Sequence, residues 1–186
     1  FSFFTSIALA VPQKTNVELS KASGEVEFFA VGNPSLLRIH GKGVAPGGKF
    51  AIDDNENVTG EGSFDLSSLD TGIDMRNKHM KEKYLQVEKF PVASLKMSEM
   101  VLPLKSESLS WKFENVPFKA LLTLHGQTKP VEGLAKVSRK EDRIELSCEF
   151  SIKLADFGID IPSYAGITIA NDVRVHVRDS SSILKK

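Results

Sequence analysis

Apolar and polar residues alternate along most of this chain with a period of two, which predicts β-strands with one buried face. The clearest run is Ile144, Leu146, Cys148, Phe150, Ile152 and Leu154, separated by Glu145, Ser147, Glu149, Ser151 and Lys153. The same period places Val17 with Leu19, and Val26 with Phe28 and Ala30. It places Leu95 with Met97, and Phe118 with Ala120, Leu122 and Leu124. Val131, Gly133, Ala135 and Val137 share another face, as do Val173, Val175 and Val177. Trp111 and Phe113 precede the run at Phe118. Polar or Gly/Pro-rich stretches at Gly32-Asn33-Pro34, Asp53–Asn57 and His125–Thr128 read as turns. Ala45-Pro46-Gly47-Gly48, between two runs from Leu36 to Ile52, predicts a hairpin or a bulged bend. Ser180–Lys186 is expected to fray.

One stretch departs from this pattern. A strand from Val58 to Leu66 leads into a polar turn, Ser67–Gly72, and then a charged helix from Asp74 to Leu85. Asp74 is placed as its N-cap, where a carboxylate accepts free backbone N–H groups. Met75, His79 and Tyr84, with Met80 and Val87, form the apolar side. Arg76, Lys78, Lys81, Glu82 and Lys83 form the polar side. Pro91 closes the segment. Gly60 and Gly62, on the same strand face as Phe64, leave room for a ligand or another element. About eight or more strands with one short helix, and no βαβ unit, predict an all-β antiparallel barrel or sandwich. Long strands with one apolar face favour an up-and-down barrel. At eight strands a barrel can enclose one small ligand, and the single helix would plug it or cover its opening.

The chain's 186 residues suit one domain, and Lys+Arg and Asp+Glu each number 24. That balance argues against a strongly basic nucleic-acid binder. Cys148 is the only cysteine, so no intramolecular disulfide or Cys-based zinc motif exists, and its strand context makes it a small buried hydrophobe. Residues 1–10 are uncharged and mostly apolar. They are too short to span a bilayer, which takes about 20 apolar residues. They read as the remnant of a signal-peptide apolar region with Ala8-Leu9-Ala10 as the cleavage pattern, or as an apolar tail. Residues 11–186 are then expected to form a single barrel domain.

Candidate chemistry is sparse. Gly43 to Phe50 nearly matches a phosphate loop, but Phe50 stands where a hydroxyl would coordinate magnesium, and a strand follows instead of a helix. Asp70-Thr71-Gly72 matches the core of an aspartic-protease motif, which needs two carboxylates sharing a proton. The flanking residues do not fit, so a turn is the reading. His40, His79, His125 and His176 have no metal-ligand spacing, and no GxSxG elbow appears. Asn57-Val58-Thr59 is a glycosylation sequon, relevant only in a eukaryotic secretory host. The basic residues of the helix could meet an anionic head group at a barrel mouth. No catalytic residue, metal or cofactor is expected.

Three segments carry a resemblance: residues 60–91 (GEGSFDLSSLDTGIDMRNKHMKEKYLQVEKFP), 122–131 (LTLHGQTKPV) and 157–177 (FGIDIPSYAGITIANDVRVHV). In order and spacing they resemble the YceI-like family of periplasmic, lipocalin-like polyisoprenoid-binding proteins, over roughly residues 15 to 180. Asn77 stands where the common pattern has Asp, and an extra Ile-Asp lies between Phe157 and Tyr164. The resemblance implies an extended eight-stranded antiparallel barrel with a helix near its opening. It also implies an apolar tunnel for an isoprenoid, quinone or fatty-chain amphiphile, and a periplasmic or secreted location. It carries no catalytic residues. The expected tunnel lining is Val26, Phe28, Phe64, Met75, Tyr84, Phe113, Leu122, Leu124, Phe150 and Ile152, with Arg76, His79 and Lys83 as head-group candidates. The expected partner is a long-chain lipid rather than nucleic acid, with no integral membrane span, and a homodimer is left open. The alternatives are an enzyme acting on such a lipid and a structural barrel filled by its own side chains.

Overall fold

The computed structural model of the protein describes residues 15–19, 23–33, 35, 37–103, 109–164 and 167–183, without the side chains of Tyr164 and Ser182. The apolar run 1–10 lies outside the described residues.

Twelve strand segments form one antiparallel sheet: β1 (Thr15–Leu19), β2 (Gly24–Asn33), β3 (Arg38–Val44), β4 (Gly47–Ile52), β5 (Val58–Asp65), β6 (Val92–Met100), β7 (Ser110–Leu124), β8 (Gln127–Lys140), β9 (Arg143–Lys153), β10 (Ser163–Tyr164), β11 (Ile167–Ile169) and β12 (Asp172–Ile183). The sheet curls until its ends meet. Its path runs β1-β4-β5-β6-β7-β8-β9-β12, and β12 returns to β1 through Val17 opposite Ile183. That ring contains the eight strands expected of the barrel. The larger segment count has a local cause. β12 pairs with β1 at one end and with β2 along the rest, while β3 pairs with β2 and β4 with β1. The break between β3 and β4 falls at Ala45-Pro46, and Pro46 has no N–H to give a ladder. Ala45 to Gly48 is therefore a bend in one strand path rather than a hairpin, because β3 and β4 pair with different partners.

β7 and β8 are joined by a two-residue turn, His125-Gly126, with both residues at positive φ (51° and 75°). This is the backbone twist that tight hairpins favour. β12 continues through Ile183, so Ser180–Ile183 is strand and not a frayed tail: Ser181 pairs with Ile144, and Val17 holds Ile183.

The helical segment is shorter and more irregular than the alternation predicts. α1 spans Asp74–His79, and Met80–Tyr84 continues it as a π turn closed by Leu85 N–H to Met80 carbonyl at 2.8 Å. Its N-cap is Ile73, with no side-chain cap bond. Asp74 is the first helical residue, and its charge acts on the exposed N–H groups rather than through a cap. Gly60 also differs from expectation. It sits at φ +141°, and a Cβ there would lie 2.3 Å from the Lys49 carbonyl, so it allows β4 and β5 to approach. At Gly62 a Cβ would meet the Phe50 ring at an ordinary 3.6 Å, so of the two only Gly62 has room for a side-chain carbon.

Candidate functional site

Alternate residues of the ring point inward, and their side chains surround a cavity of about 850 Å³. That volume lies toward the upper end of small-ligand pockets, ~300–1,000 Å³. Seven of the expected tunnel residues stand on its wall: Val26 and Phe28 from β2, Phe64 from β5, Leu122 and Leu124 from β7, and Phe150 and Ile152 from β9. Phe113 does not. It lies beyond an irregularity in the β7–β8 pairing between Phe113 and Val116, where Asn115 adopts φ 57°, and packs against Trp111 with ring centroids 5.3 Å apart. Sequence reasoning missed Phe50, Ile39, Met97, Phe118 and Val175, which also line the cavity. Met97, Phe118 and Val175 had a signal, since each sits in an alternating run.

Such a wall has a thermodynamic consequence. A buried water needs two to four polar partners, and apolar cavities of this kind stay dry or fill with hydrocarbon. Cys148 belongs to the wall, and burial pushes its thiol up to about 12, so it behaves as one more small apolar group.

The mouth is set by strand register. β5 ends at Asp65 opposite Val92, and the Leu66 N–H bonds the Pro91 carbonyl (2.9 Å), so the helical segment between them hangs over this end of the ring. Met75, Arg76, His79, Met80, Lys83 and Tyr84 all reach the cavity. These positions are spaced by four. An α-helix of 3.6 residues per turn would rotate them gradually off the opening. The wider π turn delays that drift and keeps one stripe facing in. Polar and apolar residues therefore share the inner stripe, whereas the charge pattern had divided them between two faces. Met75 stays 65% exposed at the rim.

A web of hydrogen bonds holds the start of this segment. Arg76 Nε donates to Thr71 Oγ1 (2.9 Å) and Nη2 to the Thr71 carbonyl (2.8 Å). The Thr71 N–H and hydroxyl both donate to Asn77 Oδ1 (2.8 and 2.7 Å), and Asn77 Nδ2 donates to Asp70 Oδ1 (2.6 Å). An amide at 77 can accept from Thr71 and donate to Asp70 at once; an aspartate could not make the second bond. The Gly72 N–H, with Asn77 next in weight, holds the Asp70 carboxyl below its usual value. Asp70 also bridges Lys42 of β3 through backbone bonds of 2.7 and 2.8 Å. The Asp-Thr-Gly triplet is thus a fastening for the mouth.

At the opposite end by register, Leu102, 2% exposed, and Ile144 line the cavity. Ser181 joins them and donates to Asp179 Oδ1. Asp179 is 5% exposed, and its Oδ2 has no hydrogen-bond partner. Burial pushes its carboxyl up, offset in part by Ser181.

The outer face carries a separate ionic cluster. Glu27 points away from the cavity yet is only 5% exposed. His40 Nε2 lies 2.8 Å from its Oε1, and Arg178 Nη2 2.6 Å from its Oε2. Lys42 and His176 stand 3.8 and 3.7 Å away. Burial pushes the Glu27 carboxyl up, but the His40 hydrogen bond and the Arg178, His40 and Lys42 charges outweigh it and hold it below the ordinary range. Ser147 Oγ lies 2.8 Å from His176 Nε2, giving a serine–histidine–glutamate row. It is not arranged for catalysis: Glu27 is already held by His40 and Arg178, and the row sits on the strand face opposite the cavity. His125 bonds the Phe157 carbonyl (3.1 Å) at the hairpin, and His79 stands at the mouth. Among the described residues no group of three or more His, Cys, Asp or Glu side chains could hold a metal ion. No helix among them is long and apolar enough to cross a membrane.

Comparison with known proteins agrees with this architecture. No curated protein sequence matches the chain at a significant level. A polyisoprenoid binding domain from Saccharophagus degradans, implicated in plant cell wall breakdown, superposes with a TM-score of 0.70 at 18% identity, covering 90% of this chain and 98% of that one. BcnA of Burkholderia cenocepacia gives 0.68 at 15% identity, covering 87% and 98%. A Campylobacter jejuni YceI protein gives 0.60 at 14% identity, covering 81% and 88%. At these identities the likeness is one of fold. The family model for the YceI-like domain matches residues 11–179, nearly the whole chain, and the chain belongs to the YceI-like family.

Proposed function

We propose that this chain binds a long-chain isoprenoid or fatty amphiphile in its cavity and carries or sequesters it without chemical conversion. The observation that carries this reading is the continuous apolar wall around about 850 Å³, with charged side chains gathered at one mouth. Each buried methylene contributes about 0.8 kcal/mol, so a run of ten supplies roughly 8 kcal/mol before the cost of ordering the chain. Such a ligand needs lining more than polar anchors. Its chain would lie along Phe28, Phe64, Leu122, Leu124, Phe150 and Ile152, beneath Met75 and Tyr84, with the head group near Arg76, His79 and Lys83. The polyisoprenoid-binding neighbour supports this class of ligand. Membership of the YceI-like family supports a periplasmic location.

Native mass spectrometry of protein extracted without detergent tests the proposal. A co-purifying lipid, released intact by solvent, is the expected result. Turnover of that lipid would move the reading to an enzyme, and a protein that stays empty when offered polyprenols, quinones and fatty amides would sink it.

A further inference from the structure

The helical segment at the mouth shows two features beyond its part in the cavity wall. Ile73 and Met75 are 51% and 65% exposed, two large apolar side chains at the rim. Around them the stretch from Ile73 to Phe90 carries five basic side chains (Arg76, Lys78, Lys81, Lys83 and Lys89) against three acidic ones, in a chain of zero formal net charge. On the strands Lys42, Lys49, Lys112, Lys119, Arg174 and Arg178 each pair with a glutamate. Among the described residues none of the five on the mouth segment is in an ion pair. Lys78, Lys83 and Lys89 are exposed. Lys83 and Lys89 rest their ammonium groups over the neighbouring Tyr84 and Phe90 rings, 5.3 and 5.0 Å from the centroids.

We propose that this mouth docks on an anionic phospholipid bilayer, with Ile73 and Met75 entering the interface and Lys78, Lys81, Lys83 and Lys89 meeting the phosphates. Apolar side chains flanked by unpaired lysines are the combination that binds such a surface. The apolar part supplies burial, and each basic residue near the surface adds about 1 kcal/mol. A soluble protein partner would match the apolar pair, but it would leave the surplus charge with no counterpart unless that partner were itself acidic. The placement also opens the cavity toward the hydrocarbon. Docking does not depend on what the cavity holds.

Flotation with vesicles of phosphatidylcholine and phosphatidylglycerol in equal parts, against phosphatidylcholine alone, tests this. The protein is expected to float with the mixed vesicles at low salt and to be released as salt shortens the screening length to about 10 Å near 0.1 M. Lys78→Gln/Lys89→Gln is expected to weaken partition by roughly thirtyfold, two residues at about 1 kcal/mol each. In a Cys148→Ala background, a polarity-sensitive dye on Met75→Cys should shift to the blue on mixed vesicles only. Absence of flotation by folded protein, partition unchanged in the lysine variant, or a dye that stays in water would each overturn the proposal. Lys78 and Lys89 lie off the cavity wall, so lipid retention by that variant, read by mass spectrometry, reports on the cavity alone. Docking lost with lipid retained in that variant is the expected result and leaves the cavity reading untouched, whereas a parent protein that floats yet stays empty strikes only the cavity reading.

Discussion

Phe28 packs over Gly41, its partner across the β2–β3 ladder, so closely that a Cβ at 41 would lie 2.1 Å from the ring. The neighbouring inward glycine of β3, Gly43, is covered in the same way by Phe64, 2.4 Å from where its Cβ would be. The inner face of β3 thus presents little side chain of its own beyond Ile39, and two aromatic rings from neighbouring strands form the wall there.

Gly41→Ala should therefore act on the lumen. The Phe28 ring must swing away from the added methyl, and the open side is the cavity. We expect a stability loss of about 1–3 kcal/mol, the usual range for overpacking, with a preference for shorter bound chains. Urea unfolding and mass analysis of co-purified lipid check both. Unchanged chain length would show that Phe28 moves elsewhere.

Phe64→Trp and Leu124→Trp add bulk to the same wall, two strands apart at one end of the ring. Both should lower lipid retention more than they lower the unfolding midpoint, since the cavity absorbs volume that a filled core would resist. Equal losses in the two measurements would mean that these side chains pack against protein rather than ligand.

Glu27 links acidity to stability. Its folded carboxyl lies below the ordinary value of 4.5, so its stabilising contribution is present above that pH and is lost as pH falls through the folded value. Glu27→Gln is expected to cost about 2 kcal/mol at pH 7, the scale of hydrogen bonds to a charged group. The difference from the parent should shrink below pH 4. Thermal melts of both proteins across this range would reveal a persistent gap if packing, rather than charge, were responsible.

Asp179 has the opposite sign. Burial raises its folded carboxyl above 3.8, so stability falls as pH rises from that value through the folded one. Asp179→Asn keeps the shape and removes the titration. It should melt higher than the parent at pH 7 and show no advantage at pH 3. A variant that melts lower at both would mean that the carboxylate is stabilised by groups the geometry does not show.

Much of the fold was legible because period-two alternation reports directly which residues share a face. The β9 run from Ile144 to Ile152 became a cavity-lining strand with its polar partners outside. Other features lacked any such signal. Gly41 and Gly43 break the apolar pattern because the rings that cover them belong to Phe28 and Phe64, on other strands. The shift between Phe113 and Val116 moves Phe113 off the wall, and alternation read in one register cannot see a strand change step. The π turn from Met80 to Tyr84 uses residues that suit an α-helix equally well. Glu27 stands on the polar side of the β2 alternation, which gives no sign that it is buried and bonded to Arg178, 151 residues away in sequence.

The pairing of Val17 with Ile183 also sets an order of events in biosynthesis. The two staves that shut the ring come from near opposite ends of the sequence, so the hoop closes only after β12 has been made. A nascent chain holds the greasy interior open along one side until then, and such long-range closure is slow. Until that last strand docks, a chaperone or a lipid has a lateral entrance that the finished barrel no longer offers.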